Sequence, residues 1–393
     1  MCDGHRREEG WTLSSGVAIG LCLNCGHAFL ARRPLSAALE ATYQRFRQSY
    51  DDAHLLDQNI QLFQFAKRRQ DFIQSHLTGV PGTVLEIGCA YGHFLSLFPE
   101  AGLRVGIEPS SGQARFARRN FGLSKVLNTS YQKIESRPDT WPEQGFDLVC
   151  SFHVLEHVAD PAGLISFAGR FLRPGGWLAL AAPNLYTLSP DLIEAFFLHQ
   201  GLHLHFFQPQ TMRNLLAGQG FRPKADLEEE PTSMLRSSFL VLSRFEAGPQ
   251  PAGPVTDIDQ ARQALVRFQT SLKANLDCIR AAFKDWTAAG KRVAIFGGGV
   301  HTQALLELTG VDPLAVSLII DDDPDKQGRS LGGIPIRSLE AAMASELDVV
   351  VVSSLAAEGL ILDRLDRSGL EEVEIKGVYA HLMGRKEDRQ SRG

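Results

Sequence analysis

Hydrophobic residues in this chain gather into short unbroken runs, separated by longer stretches with helical spacing. That is the pattern of strands buried on both faces and alternating with helices. The runs fall at 84–87, Leu103–Ile107, 125–127, 146–150 and 177–180, and a second series follows at 292–296, 314–320 and 347–353. The spacing predicts helices over 34–78, 210–218, 257–289 and 303–309. In the first of these, Tyr43, Phe46, Tyr50, Leu55, Phe63, Phe65 and Phe72 form an apolar stripe, read as core that caps the domain behind it. In the third, Leu265, Phe268, Leu272, Leu276, Ile279 and Phe283 recur every three or four residues, so one face is expected to pack across two domains. Proline and glycine crowd 246–254, which reads as a linker. The prediction is an α/β chain in four parts: a small element over 1–33, a large sheet domain over 34–245, a linker and bridging helix over 246–289, and a smaller sheet domain over 290–393.

The turn after the first run reads Glu86-Ile87-Gly88-Cys89-Ala90-Tyr91-Gly92. A pyrophosphate site uses GxGxxG at a helix N-terminus and an apolar residue where Glu86 stands. Here the spacing is ExGxxxG, and Glu86 sets a carboxylate beside a ligand's ammonium group. The ligand implied is cationic and free of phosphate, S-adenosylmethionine, with Gly88, Cys89, Ala90 and Gly92 offering it their backbone. Glu108 and Pro109 end the next strand, and Glu108 is placed to accept both ribose hydroxyls. The fourth strand runs into Ser151, Phe152 and His153, at the carboxyl ends of parallel strands where ligands sit.

An imidazole suits removal of a proton from a hydroxyl, or from a carbon beside a ketone. His203 is the first candidate base, followed by His157 and His153. An apolar insertion over 184–200, after the fifth strand, is expected to cover an acceptor pocket, which makes Asn184 and Tyr186 within it and His205 just beyond it candidate acceptor-pocket residues. A second glycine turn, Gly297-Gly298-Gly299-Val300-His301-Thr302, follows the run at 292–296. Gly298, Gly299 and His301 can hold the pyrophosphate of a nucleotide-linked substrate. Thr302 stands in place of the third glycine, and a purely structural domain is the alternative.

At the start, Cys2, His5, Cys22 and Cys25 make a donor set for tetrahedral zinc, and His27 is expected at the surface. A redox pair is the other use of such cysteines, though no thioredoxin-like strand precedes them. The six cysteines are otherwise dispersed, which argues against a disulfide scaffold. Across 393 residues the chain is 44% hydrophobic and 22% charged with net charge -5, a globular composition that disfavours nucleic acid as main partner. No apolar run approaches the roughly 20 residues that span a bilayer, and residues 1–10 are charged rather than signal-like, so the expected compartment is the cytoplasm.

The segments LEIGCAYGHFL, GIEPS, FDLVCSFHVLEHVADP and LRPGGWLALAAPN, in this order over about 80–185, resemble a class I S-adenosylmethionine-dependent methyltransferase. With the cysteine-containing start and the later IIDDDPDKQGRSLGGIPI, the whole chain resembles the sugar C-methyltransferase family. The resemblance implies a class I methyltransferase sheet between a zinc-ribbon-like element and a second Rossmann-like domain. It also implies zinc near the N-terminus and a nucleotide-linked keto sugar as substrate, held with help from the C-terminal domain. His203 can occupy the family's catalytic histidine position, with Leu202 where the family has glutamate, Gln200 where it has tyrosine, and His5 where it has a zinc cysteine. Methylation of oxygen or nitrogen on a non-sugar small molecule, and a scaffold that binds the donor without catalysis, stay open as alternatives. An oxidoreductase built on the second glycine turn is the remaining one.

Overall fold

Strands form where the apolar runs lie, and the chain adds others that the runs did not announce. The computed structural model describes residues 6–12, 17–32, 56–230 and 237–383, apart from 137, 140, 247, 249–256, 356, 369 and 371. Cys2, His5, Tyr43, Phe46, Tyr50, Leu55 and most of the expected linker lie outside the described residues. Contacts divide the chain into two units. The first holds the chain up to Trp11 with Ala18–Leu188 and Gly201–Leu265; the second holds Thr12–Val17, Ser189–Gln200 and everything from Val266 onward.

The first unit begins with Arg7–Thr12 (β1), Ala18–Cys22 (β2) and Ala28–Leu30 (β3). Between β2 and β3 the chain turns at Cys22–Cys25, where the Gly26 N–H donates to Cys22 O at 2.8 Å. Then come Thr83–Ile87 (β4), Leu103–Ile107 (β5), Val126–Leu127 (β6), Phe146–Phe152 (β7), Leu172–Pro183 (β8), His205–Phe206 (β9), Phe221–Glu229 (β10) and Ser238–Phe245 (β11). Seven of these form one sheet in the order β10-β11-β8-β7-β4-β5-β6, parallel except for β10 and β11. Successive residues of each central strand face opposite sides: Leu85, Ile87 and Val149 join one core cluster, while Val84, Leu148 and Cys150 join the other. Burial on both faces is the reason the runs are unbroken. The helix Leu56–His76 enters the second cluster through Ala66 and Ile73, and the helix Pro161–Phe171 enters the first through Leu164 and Ile165.

β9 leaves the large sheet and pairs antiparallel with β3, setting Ala28 opposite Phe206 and Phe29 opposite His205. This corrects the expectation for His27. It is buried, with Nε2 3.0 Å from Nδ1 of His205 and its ring centroid 4.9 Å from that of Phe207. His205 is thereby packed against the N-terminal sheet, buried beside His27.

In the second unit, Val293–Phe296 (β12), Leu318–Ile320 (β13), Ser330–Leu331 (β14), Ile334–Arg337 (β15), Val349–Val352 (β16) and Glu374–Gly377 (β17) order as β14-β15-β13-β12-β16-β17. The strand expected from 314 starts only at 318. Asp312 accepts the Leu314 N–H, Pro313 opens a tight 3-10 turn, and Leu314 is left exposed. The helix expected from 303 begins at Val300, because Gly299 is its N-cap. Residues 189–200, part of the 184–200 insertion expected to cover an acceptor pocket, group with this unit and carry the helix Leu192–His199. Asp191 caps that helix, Gln200 donates to Glu307, and Asn275 donates to Pro190 O. Among the described residues no helix is long and apolar enough to cross a membrane.

Candidate active site

The first glycine turn is held open by two close approaches. A Cβ on Gly88, at φ 76°, would sit 2.4 Å from Val154 Cγ2, and one on Gly92, at φ 83°, would sit 2.6 Å from Leu123 Cδ1. Neither position admits a side chain without displacing a neighbour. Ala90 takes the left-handed region at φ 44°, and its N–H donates to Glu108 Oε2 at 3.0 Å. The other oxygen of Glu108 accepts from the Ser110 N–H at 2.6 Å, and Asn128 donates to the carbonyls of Glu108 and Pro109. Glu108 therefore sits at the turn, where its carboxylate organises the backbone around the expected ribose position. Cys89 turns its side chain into the core, where its sulfur would lie 2.5 Å from a Cβ on Gly106, so it offers the loop only its backbone. Ser151 is buried, with its hydroxyl on Ile87 O at 3.0 Å.

Glu86 tests whether this turn suits S-adenosylmethionine. Its carboxyl is buried and Oε2 has no hydrogen-bond partner in the described structure. Burial pushes its pKa well above the usual carboxylate range, Arg69 opposes that shift, and Glu108 adds to it. A buried acceptor in this state is relieved by a ligand that brings a positive charge and N–H donors. The residues fit the ammonium-bearing donor, and they fit a polyphosphate poorly.

Beside the turn lies a second group of polar side chains, joined through Val154 to Gly88. Arg69, on the first long helix, donates from Nε and Nη2 to the two oxygens of Glu229 on β10, each at 2.7 Å, and Ser238 donates to the same carboxylate. Burial pushes the Glu229 carboxyl up, but Arg69 and Ser238 outweigh it and its pKa is lowered. Nη2 of Arg69 also lies 2.9 Å from Nε2 of His153, and its guanidinium stacks over Phe152 at 4.8 Å. His153, at φ 55°, points Nδ1 toward Glu156 Oε1 at 3.4 Å. His157 Nε2 lies 3.8 Å from the same oxygen, its Nδ1 is 2.8 Å from Leu202 O, and its ring meets that of His203 edge-on at 4.9 Å.

Burial pushes Glu156 up, while His157, the hydrogen bond from His153 and the nearby His203 outweigh it and hold its pKa at about 2. Burial likewise carries His157 down to about 4, against the attraction of Glu156. The result is an ionised carboxylate ringed by three imidazoles at the edge of the donor loop, able to stabilise an imidazolium.

The structure thus gathers His153, His157 and His203, and places Glu86, Gly88, Ala90, Gly92, Glu108, Phe152 and His153 around the turn. Asn184 is buried and uses its side chain to cap a short turn at Tyr186, which is half-buried. In the second unit Gly298 gives its N–H to Asp321 Oδ2 at 2.7 Å, Gly299 caps the helix behind it, and His301 Nδ1 lies 2.5 Å from the Tyr379 hydroxyl. Three residues of the first site escaped the sequence reading. Glu156 had a signal, three residues after His153 in SFHVLEHV, whereas Arg69 and Glu229 are 160 positions apart and had none.

Residues 46–225 match a family model described as a methyltransferase domain, and residues 257–367 match one described as a C-methyltransferase C-terminal domain. A ubiquinone biosynthesis O-methyltransferase of Albidiferax ferrireducens is 29% identical over 163 residues, which is 40% of this chain and 64% of the relative. Its counterpart in Idiomarina loihiensis is 32% identical over 120 residues, 30% of this chain and 49% of the relative. The chain thus spans less than two thirds of the length of these relatives. Among solved structures, the N-methyltransferase NodS from Bradyrhizobium japonicum with S-adenosyl-l-homocysteine has a TM-score of 0.40 at 16% identity, covering 53% of this chain and 98% of its own. On the two family matches and the sheet described above, the chain carries a class I S-adenosylmethionine-dependent methyltransferase domain followed by a C-methyltransferase C-terminal domain.

Proposed function

We propose that the protein methylates a carbon next to a ketone in a small molecule, a nucleotide-linked keto sugar, with S-adenosylmethionine as donor. The observation that carries this is the Glu156 carboxylate, buried and ionised among His153, His157 and His203 at the rim of the donor loop. The match of residues 257–367 to a C-methyltransferase C-terminal domain supports carbon as acceptor atom. When bound, the donor supplies a methyl group on positively charged sulfur. The protein's part is to hold the acceptor in line and take its proton. His157 has Nδ1 on Leu202 O and Nε2 turned to Glu156, so His203 is the base we assign, and Glu156 stabilises the imidazolium it becomes. The proton passes from the acceptor carbon to the His203 ring and then to solvent, while the carbon's electron pair forms the new bond to methyl and the pair of the broken methyl–sulfur bond stays on the sulfur.

The test is incubation of the full chain with S-adenosylmethionine and a panel of nucleotide-linked keto, amino and deoxy sugars, followed by mass spectrometry and carbon NMR. A 14-dalton gain on a keto sugar, located on carbon and lost in His203→Ala while donor affinity is retained, is the expected result. The O-methyltransferase relatives favour a second reading, methylation of a hydroxyl on a non-sugar acceptor. Donor binding with no product from any sugar nucleotide would select it. Cys22 and Cys25, at the N-terminal turn, are also proposed, together with Cys2 and His5, as the ligands of a structural zinc. Metal analysis of the purified chain and of Cys22→Ser/Cys25→Ser decides that point.

A further inference from the structure

Arg69 constrains the chemistry of a histidine that it touches. A guanidinium carries only donors, so the 2.9 Å contact between Arg69 Nη2 and His153 Nε2 requires that nitrogen to accept. The proton of a neutral His153 then sits on Nδ1, which faces Glu156 Oε1 at 3.4 Å, and a carboxylate can only accept. Both ring nitrogens of His153 are committed, one lone pair to Arg69 and one N–H to Glu156. Arg69 is held in turn by both oxygens of Glu229, and its plane is stacked on Phe152.

We propose that Arg69 and His153 are positioning residues: Arg69 locks His153 in its Nδ1–H form, and His153 aims the Glu156 carboxylate at His157 and His203. The inference rests on the base-assisted reading above for its catalytic meaning, though not for the tautomer. It removes His153 from the candidate bases and gives the buried Arg69–Glu229 pair a part in the site. It also explains why a residue other than glycine stands at φ 55°. The left-handed backbone turns a ring that must reach Arg69 on one side and Glu156 on the other.

The experiment has two arms. In the first, the full chain with S-adenosylhomocysteine bound is labelled with 15N-histidine, and the ring of His153 is read by NMR near neutral pH. A protonated Nδ1 with an unprotonated Nε2 is expected, and Arg69→Met should abolish that preference. If the single variant does not fold, Arg69→Met/Glu229→Met removes both buried charges together. Protonation on Nε2 in the unaltered chain overturns the proposal, as does an unchanged tautomer in the folded variant.

In the second arm, His153→Asn and His153→Gln are compared in turnover of a nucleotide-linked 4-keto-6-deoxy sugar. The asparagine amide stands where Nδ1 was and can still donate to Glu156, and asparagine tolerates the left-handed backbone. The glutamine amide reaches Nε2's place and keeps only Arg69. A positioning role predicts kcat within about 5-fold of the unaltered chain for asparagine and a loss of about 100-fold for glutamine, the scale of proton-transfer effects. KM for the sugar should stay within about 3-fold in both. Equal loss in both variants makes His153 a base, and equal retention makes its bond to Glu156 idle; either overturns the proposal. Should the unaltered chain turn over no keto sugar, that failure falls on the proposed substrate, and the NMR arm decides the positioning device.

Discussion

The two units each carry a glycine turn between a parallel strand and a helix, and each turn is tied down by an acid at the end of the neighbouring strand. In the first, Glu108 accepts from Ala90 and Ser110; in the second, Asp321 accepts from Gly298 and Asp323. The surroundings differ. Asp321 is answered within its own unit by Lys326 at 3.2 Å, and the strand residue matching Glu86 in the second turn is the apolar Ile295. Glu86 keeps a buried oxygen with no partner, and a cluster of imidazoles stands beside it. A glycine turn is a backbone geometry that either unit can make. Chemistry appears where the fold leaves a buried polar atom without a hydrogen-bond partner.

The largest effect expected from this contrast is at Glu156. Glu156→Gln should lower turnover of the proposed keto-sugar substrate by about 100- to 1,000-fold, because the imidazolium loses its counter-charge. Calorimetry should find its affinity for S-adenosylhomocysteine unchanged. A parallel loss of affinity would merge the two polar groups into one site and erase the distinction drawn between them.

Next is the pair Gly88→Ala and Gly298→Ala. At Gly88 the added carbon meets Val154 at 2.4 Å on a left-handed backbone, and binding of S-adenosylhomocysteine should weaken by about 10- to 100-fold. At Gly298 the nearest contact is Asp321 Oδ2 at 3.2 Å, and binding should stay within about 2-fold. Equal weakening by both would make the second turn part of the donor site.

Asp321→Ala should act on stability alone. It strips the acceptor from Gly298 N–H at a cost of about 1–3 kcal/mol, read by urea unfolding, while donor affinity is unaltered.

An effect confined to acid pH concerns His93, packed among Tyr91, Phe116 and Phe121 next to the first turn. Burial lowers its pKa to about 4 from the usual 6.5. The unfolded chain therefore takes up a proton that the folded chain refuses between those values. The stabilisation is complete above pH 6.5 and is lost as pH falls toward 4, with a slope of up to about 1.4 kcal/mol per pH unit. Thermal melts of His93→Phe between pH 7 and 5 should show a shallower acid limb than the unaltered chain.

Much of the fold was legible because strands buried on both faces must be apolar throughout. β5 coincides with its run, and β4, β7, β12 and β16 lie within a few residues of theirs. β10 and β11 were not announced. β10 lies at the sheet edge with polar residues on its outer side, so no unbroken apolar run marks it. The N-terminal sheet was hidden for another reason: it is completed by β9, about 180 residues downstream, and nothing local in Ala28–Leu30 names that partner. The same pairing buried His27 against His205.

By itself the sequence determined the strand and helix alternation, the ExGxxxG turn with its acid, and the set of histidines from which a base is drawn. These depend on local periodicity and on residues within one turn or strand, which a linear reading sees. Tertiary structure alone decided that His203 joins His157 beside Glu156, that Arg69 reaches Glu229 and His153, and that Asp321 closes the second turn. Hydrogen bonds and buried charges act over a few ångströms of space and ignore distance along the chain, so their partners appear only when the chain is folded.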